Sequence, residues 1–157
     1  MADTPSIDPV LSLELVRSLY EKAPVMLHSL DGRGRLLSVN AMWRQTLGYG
    51  LDAVVGRSFG EFMTPASRAD FEATMPRFVR DGRITDKPYQ LVASDGRVIE
   101  VSLSAVGEYD VTGAFRRSLA ALVDVTGRRQ AEKALAKSEE LFRLAFENAN
   151  EGLAIVG

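Results

Sequence analysis

Residues 87–125 read KPYQLVASDGRVIEVSLSAVGEYDVTGAFRRSLAALVDV. Three apolar-rich runs, 87–93, 98–109 and 115–125, are separated by SDGR (94–97) and DVTG (110–113). Each separator has the Asp and Gly that let a chain reverse within a few residues. In the middle run Ile99, Val101, Leu103 and Ala105 alternate with Glu100, Ser102 and Ser104. That period of two places the first set on one side of a sheet and the second on the other. The stretch therefore predicts three antiparallel strands in succession. In the third strand Leu119 is expected to face inward, and Leu122, like Val92, outward.

Moving towards the N-terminus, Thr64-Pro65 starts a longer helix on which Phe71, Met75, Phe78 and Val79 share a face. Pro76 is expected to kink or shorten it. Residues 40–63 are cut by glycines into pieces too short to be free-standing helices. Met42, Trp43, Leu47, Val54, Val55, Phe59 and Phe62 give those pieces apolar sides. VMLHSL (25–30) and RLLSV (35–39) read as two strands joined by the tight turn DGRG (31–34). Asp8-Pro9 is a helix start, with Val10, Leu13, Val16, Leu19 and Tyr20 at helical spacing and Ala23-Pro24 as the stop. This predicts a helix over 9–22. Two strands, short helices, one longer helix and three strands make an α+β fold: a five-stranded antiparallel sheet with helices on one face.

After Val125 the composition turns abruptly to charged, helix-forming residues. One apolar seam runs through Ala131, Leu135, Ser138, Phe142, Ala145 and Ala149; another, at heptad spacing, through Ala134, Leu141 and Asn148. The pattern suits a two-stranded coiled coil, the alternative being a helix folded back on its own sheet. ELVRSLYEKAP (14–24) and ELFRLAFENAN (140–150) match at one fixed offset, and each precedes a strand-like run, VMLHSL in one and GLAIVG in the other. The repeat predicts a second copy of the domain starting near Ser138, so that the chain is the N-terminal piece of a longer tandem protein.

Composition removes whole classes of function. The chain has 157 residues, 46% hydrophobic and 25% charged, with a formal net charge of -2. That balance suits a globular domain and gives no pull towards nucleic acid or an acidic membrane. No run is apolar for the length of a membrane span, and MADTPSIDPV lacks the features of a secretion signal, so a cytoplasmic location is expected. With no cysteine, disulfides, thiolate nucleophiles and cysteine metal sites are out. With a single histidine, His28, so is a histidine-rich metal centre, and no metal site is expected. Asp31, Asp81, Asp95 and Asp110 lie in turns beside glycines, which explains them without an acid–base pair. No catalytic residues are assigned and this segment is not expected to be an enzyme. Asn40 reads as the cap of the helix after it.

In the first strand His28 alternates with Met26 and Leu30. It either faces a cavity, where it can bond a polar ligand, or is a buried strand histidine with a backbone partner. Met26, Met63 and Met75 either give an adaptable apolar cavity or simply fill the core.

With these parts in place, residues 12–130 resemble a PAS sensor domain. The marks are APVMLHSLDGRGRLLSVN, NAMWRQTLGYGLDAVVGRSF, DGRVIEVSLSA and the closing DVTGRRQAE. The resemblance implies a five-stranded antiparallel sheet with any ligand held between it and the helices. It also implies a parent such as a sensor histidine kinase of a two-component system or a cyclic-di-GMP enzyme (diguanylate cyclase or phosphodiesterase), although none of those output motifs is in this chain. On this reading residues 1–23 are an amphipathic helical cap, 24–125 the sensor domain, 126–147 a signalling helix and 148–157 the truncated start of a second copy. The candidate pocket is walled by Met26, His28, Trp43, Phe59, Phe62, Phe71, Met75, Ile99, Val101 and Leu119. The helix at 9–22 is expected to cover the outer face of the sheet, in its own chain or a partner's. Dimerisation is assigned to Val10, Leu13, Val16, Leu19, Leu135 and Phe142. Asp124 and Thr126 are expected to couple sensing to output, Thr126 as helix N-cap and Asp124 through the helix dipole and, by the resemblance, a pair with Arg116 or Arg117. The function expected is a signal-sensing, dimerising regulatory module responding to an unknown small molecule. The alternative is a flavin- or haem-binding sensor of the same fold. The cysteine of flavin-linked light sensors is missing, and the long helix has no histidine for haem, though Met75 offers an axial sulfur and Trp43 a stacking surface.

Overall fold

The computed structural model describes the backbone of residues 8–156 and the side chains of residues 8–147. The chain forms two compact units, one ending at Asp124 and one beginning at Val125.

The first unit opens with helix α1 (Pro9–Lys22), whose Asp8 cap accepts a hydrogen bond from the Val10 amide at 2.9 Å. Strands β1 (Met26–Leu30) and β2 (Leu36–Val39) follow, then three short helical pieces: α2 (Ala41–Leu47), α3 (Leu51–Val54) and a 3-10 turn (Phe59–Phe62). Helix α4 (Pro65–Asp81) precedes strands β3 (Arg83–Val92), β4 (Val98–Tyr109) and β5 (Phe115–Asp124). The five strands lie in the order β2-β1-β5-β4-β3, with every neighbouring pair antiparallel. The expected α+β architecture is the one observed.

Three local expectations change. Helix α4 runs through Pro76 to Asp81 and stops at Gly82, which takes the left-handed conformation (φ 76°). Pro76 and Glu72 are both exposed, so the Glu72 carbonyl that loses its helical donor faces solvent, which can replace it. Strand β3 begins at Arg83 rather than 87, because a bulge between Ile84 and Lys87 absorbs the break in alternation. Asp86 in that bulge has φ 50° and donates its amide to Ser104 Oγ at 3.0 Å.

The third change decides the site. Leu122 is 1% exposed and lies in the core, whereas Leu119 is 42% exposed on the opposite face. Registry is the cause. Met26 and Leu103 both pair with Leu122, and His28 and Ala105 both pair with Ala120. The inward set of β5 is therefore Ser118, Ala120 and Leu122, in step with the inward sets of its two neighbours. That face shares one core with Leu36 of β2 and Leu91 of β3 and with Trp43, Leu47, Val54 and Phe59 of the short helical pieces, all fully buried. The face of α4 read from the sequence is also confirmed, with Phe71, Met75 and Phe78 buried and Val79 packed against the core.

The second unit is helix α5 (Thr126–Val156). Only Val125 separates it from β5, and the Val125 carbonyl accepts the Arg129 amide at 2.8 Å. The helical ladder thus starts one residue earlier than a Thr126 cap requires, and Thr126 is the first helical residue rather than the N-cap. Leu135 and Phe142 are exposed. Asn148 and Ala149 of the seams have side chains outside the described residues, as have residues 1–7 altogether. The GLAIV backbone, expected as a strand, is helical to Val156. A helix closes its own hydrogen bonds, while a strand needs a neighbour to supply them.

Candidate functional site

The site is built from Asn40 outward. Asn40 is fully buried at the N-terminus of α2 and uses all four of its hydrogen-bonding positions. Its Oδ1 accepts from the Trp43 amide at 3.1 Å and the Leu27 amide at 2.9 Å. Its Nδ2 donates to the Tyr20 carbonyl at 3.0 Å and the Val25 carbonyl at 2.9 Å. One side chain thereby ties the end of α1, the start of β1 and the first turn of α2. The expected cap role holds, and the other three bonds leave no local mark in the sequence.

This capping turns the Trp43 indole into the core, where Nε1–H donates to His28 Nδ1 at 3.2 Å. His28 is fully buried on β1, and Phe59 sits edge-on to its ring with centroids 4.4 Å apart. Burial pushes the imidazole pKa down to about 3, because the charged form has lost its water. His28 Nε2 is buried and has no partner among the described residues. The backbone-partner reading of His28 is therefore replaced by an indole partner on one nitrogen and an open position on the other.

The ring lines a cavity of about 20 Å³ between the sheet and α4. Of the residues expected to wall it, His28, Phe59, Phe71 and Met75 do so. Met26, Trp43, Phe62, Ile99 and Val101 are buried in the core but do not line the space, and Leu119 is on the other side of the sheet. The sequence reading missed Phe78, Tyr89, Leu103, Ser118 and Ala120 as walls. Phe78 and Leu103 were already on the right faces, and Ala120 and Ser118 follow once the parity of β5 is corrected. Ser118 is also buried, and its Oγ accepts the Leu30 amide at 2.9 Å. Beside the cavity, Asp70 Oδ1 accepts from Tyr89 at 3.2 Å and Thr74 at 3.1 Å, and Lys87 pairs with Asp70 at 2.9 Å. The Lys87 bond is the main reason the Asp70 carboxyl lies below the usual range.

A flavin or a haem does not fit these residues. The space is far too small for either ring system, and with its walls as they stand it holds about one water-sized guest, so anything of two or three heavy atoms needs a side chain such as Met75 to turn aside. Trp43 is edge-packed on Phe62, with centroids 5.8 Å apart and planes at 82°, and its nitrogen is committed to His28, so its face is not presented for stacking. No cluster of three or more His, Cys, Asp or Glu that could hold a metal occurs among the described residues.

The outer face of the sheet is different. Leu37, Leu119 and Val123 are exposed there, and Ser29 Oγ is buried without a hydrogen-bond partner among the described residues. Among the described residues the hydrogen bonds and ion pairs that tie helix α1 to the sheet and α2 lie in its last turn: Tyr20 Oη meets Ser38 Oγ at 2.8 Å, Glu21 pairs with Arg44 at 2.8 Å, and the Tyr20 carbonyl accepts from Asn40. Its apolar residues, Val10, Leu13, Val16 and Leu19, all stay more than half exposed. The expected cover of the outer face is thus not supplied within this chain, because α1 is anchored at one end only. Arg117 pairs with Glu108, its registry partner on β4, at 2.9 Å. No described helix is long and apolar enough to cross a membrane.

Known proteins place this geometry. Residues 20–130 match the family described as the PAS fold. Sporulation kinase E of Bacillus subtilis (strain 168) is 25% identical over 143 residues, which cover 90% of this chain and 19% of that protein. The chain thus spans about a fifth of the length of its curated relative. The PAS domain of an HTR-like protein from Haloarcula marismortui superposes with a TM-score of 0.65 at 26% identity, over 73% of this chain and 93% of that one. A domain of a sensory box sensor histidine kinase/response regulator from Geobacter sulfurreducens shares the fold, with a TM-score of 0.61 at 20% identity over 74% and 97% of the two chains. The five-stranded order, the helices on one face and the match over residues 20–130 together show that this chain belongs to the PAS fold family.

Proposed function

We propose that this PAS sensory domain detects a small molecule in the cavity beside His28, dimerises through α1 and the outer face of the sheet, and passes the change to an output domain through β5 and α5. The observation that carries the sensing role is a fully buried imidazole with one nitrogen fixed and the other unpartnered at a cavity. Natural cores leave very few such atoms without a ligand or water. Exposed apolar residues on both α1 and the outer face support the dimer, since each surface can bury the other's apolar area.

Transmission rests on the junction. With Val125 alone between strand and helix, a shift of β5 reaches α5 as tilt or rotation, not as slack in a loop. Asp124 and Thr126 flank that residue and are the proposed coupling positions. Leu135 and Phe142 on α5 extend the dimer contact as a coiled coil, and the repeat at 140–150 marks a second copy downstream. The output is a histidine kinase, in keeping with the kinase relative; a cyclic-di-GMP enzyme is the other output that the resemblance implies. The chain itself regulates and does not catalyse, and it works in the cytoplasm.

Native mass spectrometry of the gently purified protein tests the sensing role. A small molecule retained by the wild type and lost from His28→Leu is the expected result. A wild type that retains nothing, and whose single tryptophan fluorescence is unmoved by any compound in a metabolite panel, would overturn it.

A further inference from the structure

The hydrogen-bond chain that ends at His28 also fixes which kind of guest the cavity accepts. An indole N–H can only donate. Because Trp43 donates to Nδ1, that nitrogen carries a lone pair, and the neutral imidazole must hold its proton on Nε2. An imidazolium would set N–H against N–H at 3.2 Å. Asn40 holds Trp43 in place by capping α2 at the Trp43 amide, so the tautomer is set by the fold around it. The unpartnered atom is therefore a donor.

Each of the other polar side chains on the wall already has a protein partner. Thr74 and Tyr89 donate to Asp70, and the Ser118 oxygen accepts from Leu30. No Lys, Arg, Asp or Glu lines the space, so nothing there neutralises a charged guest. The rest of the wall is apolar. Met75 gives it some room to adapt, since an unbranched thioether changes rotamer readily.

We infer that the cavity selects a small, neutral, largely apolar molecule with one hydrogen-bond acceptor, which takes the proton of His28 Nε2. A carbonyl, an ether, a nitrile or a heteroatomic diatomic meets this description; anions, amines and pure hydrocarbons do not. The inference rests on the proposal that the cavity binds a ligand, and adds the class of that ligand.

Acetonitrile and propyne test it, being of one length and shape but differing in the acceptor. The protein has one histidine, so labelling it with ¹⁵N gives a single imidazole to follow. Long-range proton–nitrogen spectra should show the proton on Nε2. Acetonitrile should shift the Nε2 signal and propyne should not. In His28→Leu, the ratio of acetonitrile to propyne affinity should fall about tenfold, the scale of one buried donor left without a partner. A proton on Nδ1 in the wild type overturns the inference. So does an affinity ratio unchanged by His28→Leu with both guests bound, which leaves the cavity a binding site without acceptor selectivity. If neither guest perturbs His28 or Trp43, the ligand-binding proposal falls and takes this inference with it. Should His28→Leu fail to fold, the wild-type tautomer and the contrast between the two guests decide alone.

Discussion

The two faces of the sheet use similar residues to opposite ends. Along β5, Ser118, Ala120 and Leu122 are buried while Leu119 and Val123, between and beyond them, are exposed. On the inner face the chain supplies its own cover: three short helical pieces and α4 close over it, and Asn40 locks their entry. On the outer face the cover is attached but not closed, because α1 is tied at Tyr20 and Glu21 while its earlier turns stand clear. A surface completed within one chain sets stability. A surface left apolar is where association can be controlled without touching the fold.

Leucine-to-alanine substitutions on the two faces probe this contrast most strongly. Leu122→Ala should cost about 2–5 kcal/mol of unfolding free energy, as core truncations do. Leu119→Ala should cost under about 0.5 kcal/mol in dilute protein, as exposed changes do. Urea denaturation measures both, and equal losses would mean that the outer face is closed in solution.

Acid should separate the faces next, through His28. Its folded pKa of about 3 lies below the ordinary 6.5 of an unfolded histidine. Between those values the unfolded chain binds the extra proton, so stability is fully present above about pH 6.5 and falls as pH drops towards 3. Asp70, Asp95 and Asp110 have lowered pKa values and start to contribute losses only near and below the ordinary carboxylate value of 3.8. The decline from pH 6.5 to about 4.5 therefore belongs to His28, and reaches on the order of 2–3 kcal/mol by the lower end. His28→Leu should flatten that stretch of the profile, and an unchanged slope would remove the buried neutral imidazole from the account.

The outer face is sharpened by charge. If α1 and the exposed strand residues meet a second copy, light scattering at tens of micromolar should report a dimer, and Val16→Glu or Leu19→Glu should weaken it at least about tenfold, roughly 1.4 kcal/mol. The charged variants should keep the wild-type chemical denaturation of the monomer, since both positions are exposed. A monomeric wild type would end the dimer proposal.

Asp124→Ala should have the smallest effect on the fold, within about 1 kcal/mol, the scale of a lost helix-terminal contact. If this domain regulates an output domain as proposed, the consequence is altered regulation of that output with unchanged ligand affinity in this chain. Normal regulation would remove Asp124 from the transmission route, and lost affinity alone would move it to the binding site.

The sequence carried the element order, the α4 face and the caps at Asp8 and Asn40, because period, turn residues and N-cap chemistry are local. It did not carry the parity of β5. Residues 119–123 read LAALV, apolar at every position, so alternation has nothing to mark there. Pairing with β1 and β4 chose the face instead. That one choice put Leu122 in the core, sent Leu119 out and brought Ser118 and Ala120 to the cavity. That Pro76 does not shorten α4 has a related reason, since whether a missing amide ends a helix depends on which side meets solvent.

The sequence by itself determined that this is an α+β chain of the PAS family, without cysteine chemistry, carrying one histidine on its first strand. The α+β order and the missing chemistries are matters of composition and short-range pattern, and the family came by resemblance of its motifs. Only the tertiary structure decided that Trp43 meets His28, that Asn40 holds Trp43, and that the remaining imidazole nitrogen stands unpartnered at a cavity. Hydrogen bonds between residues 15 apart in the chain leave no periodic trace, and a cavity is the difference between packed surfaces, which no single segment contains.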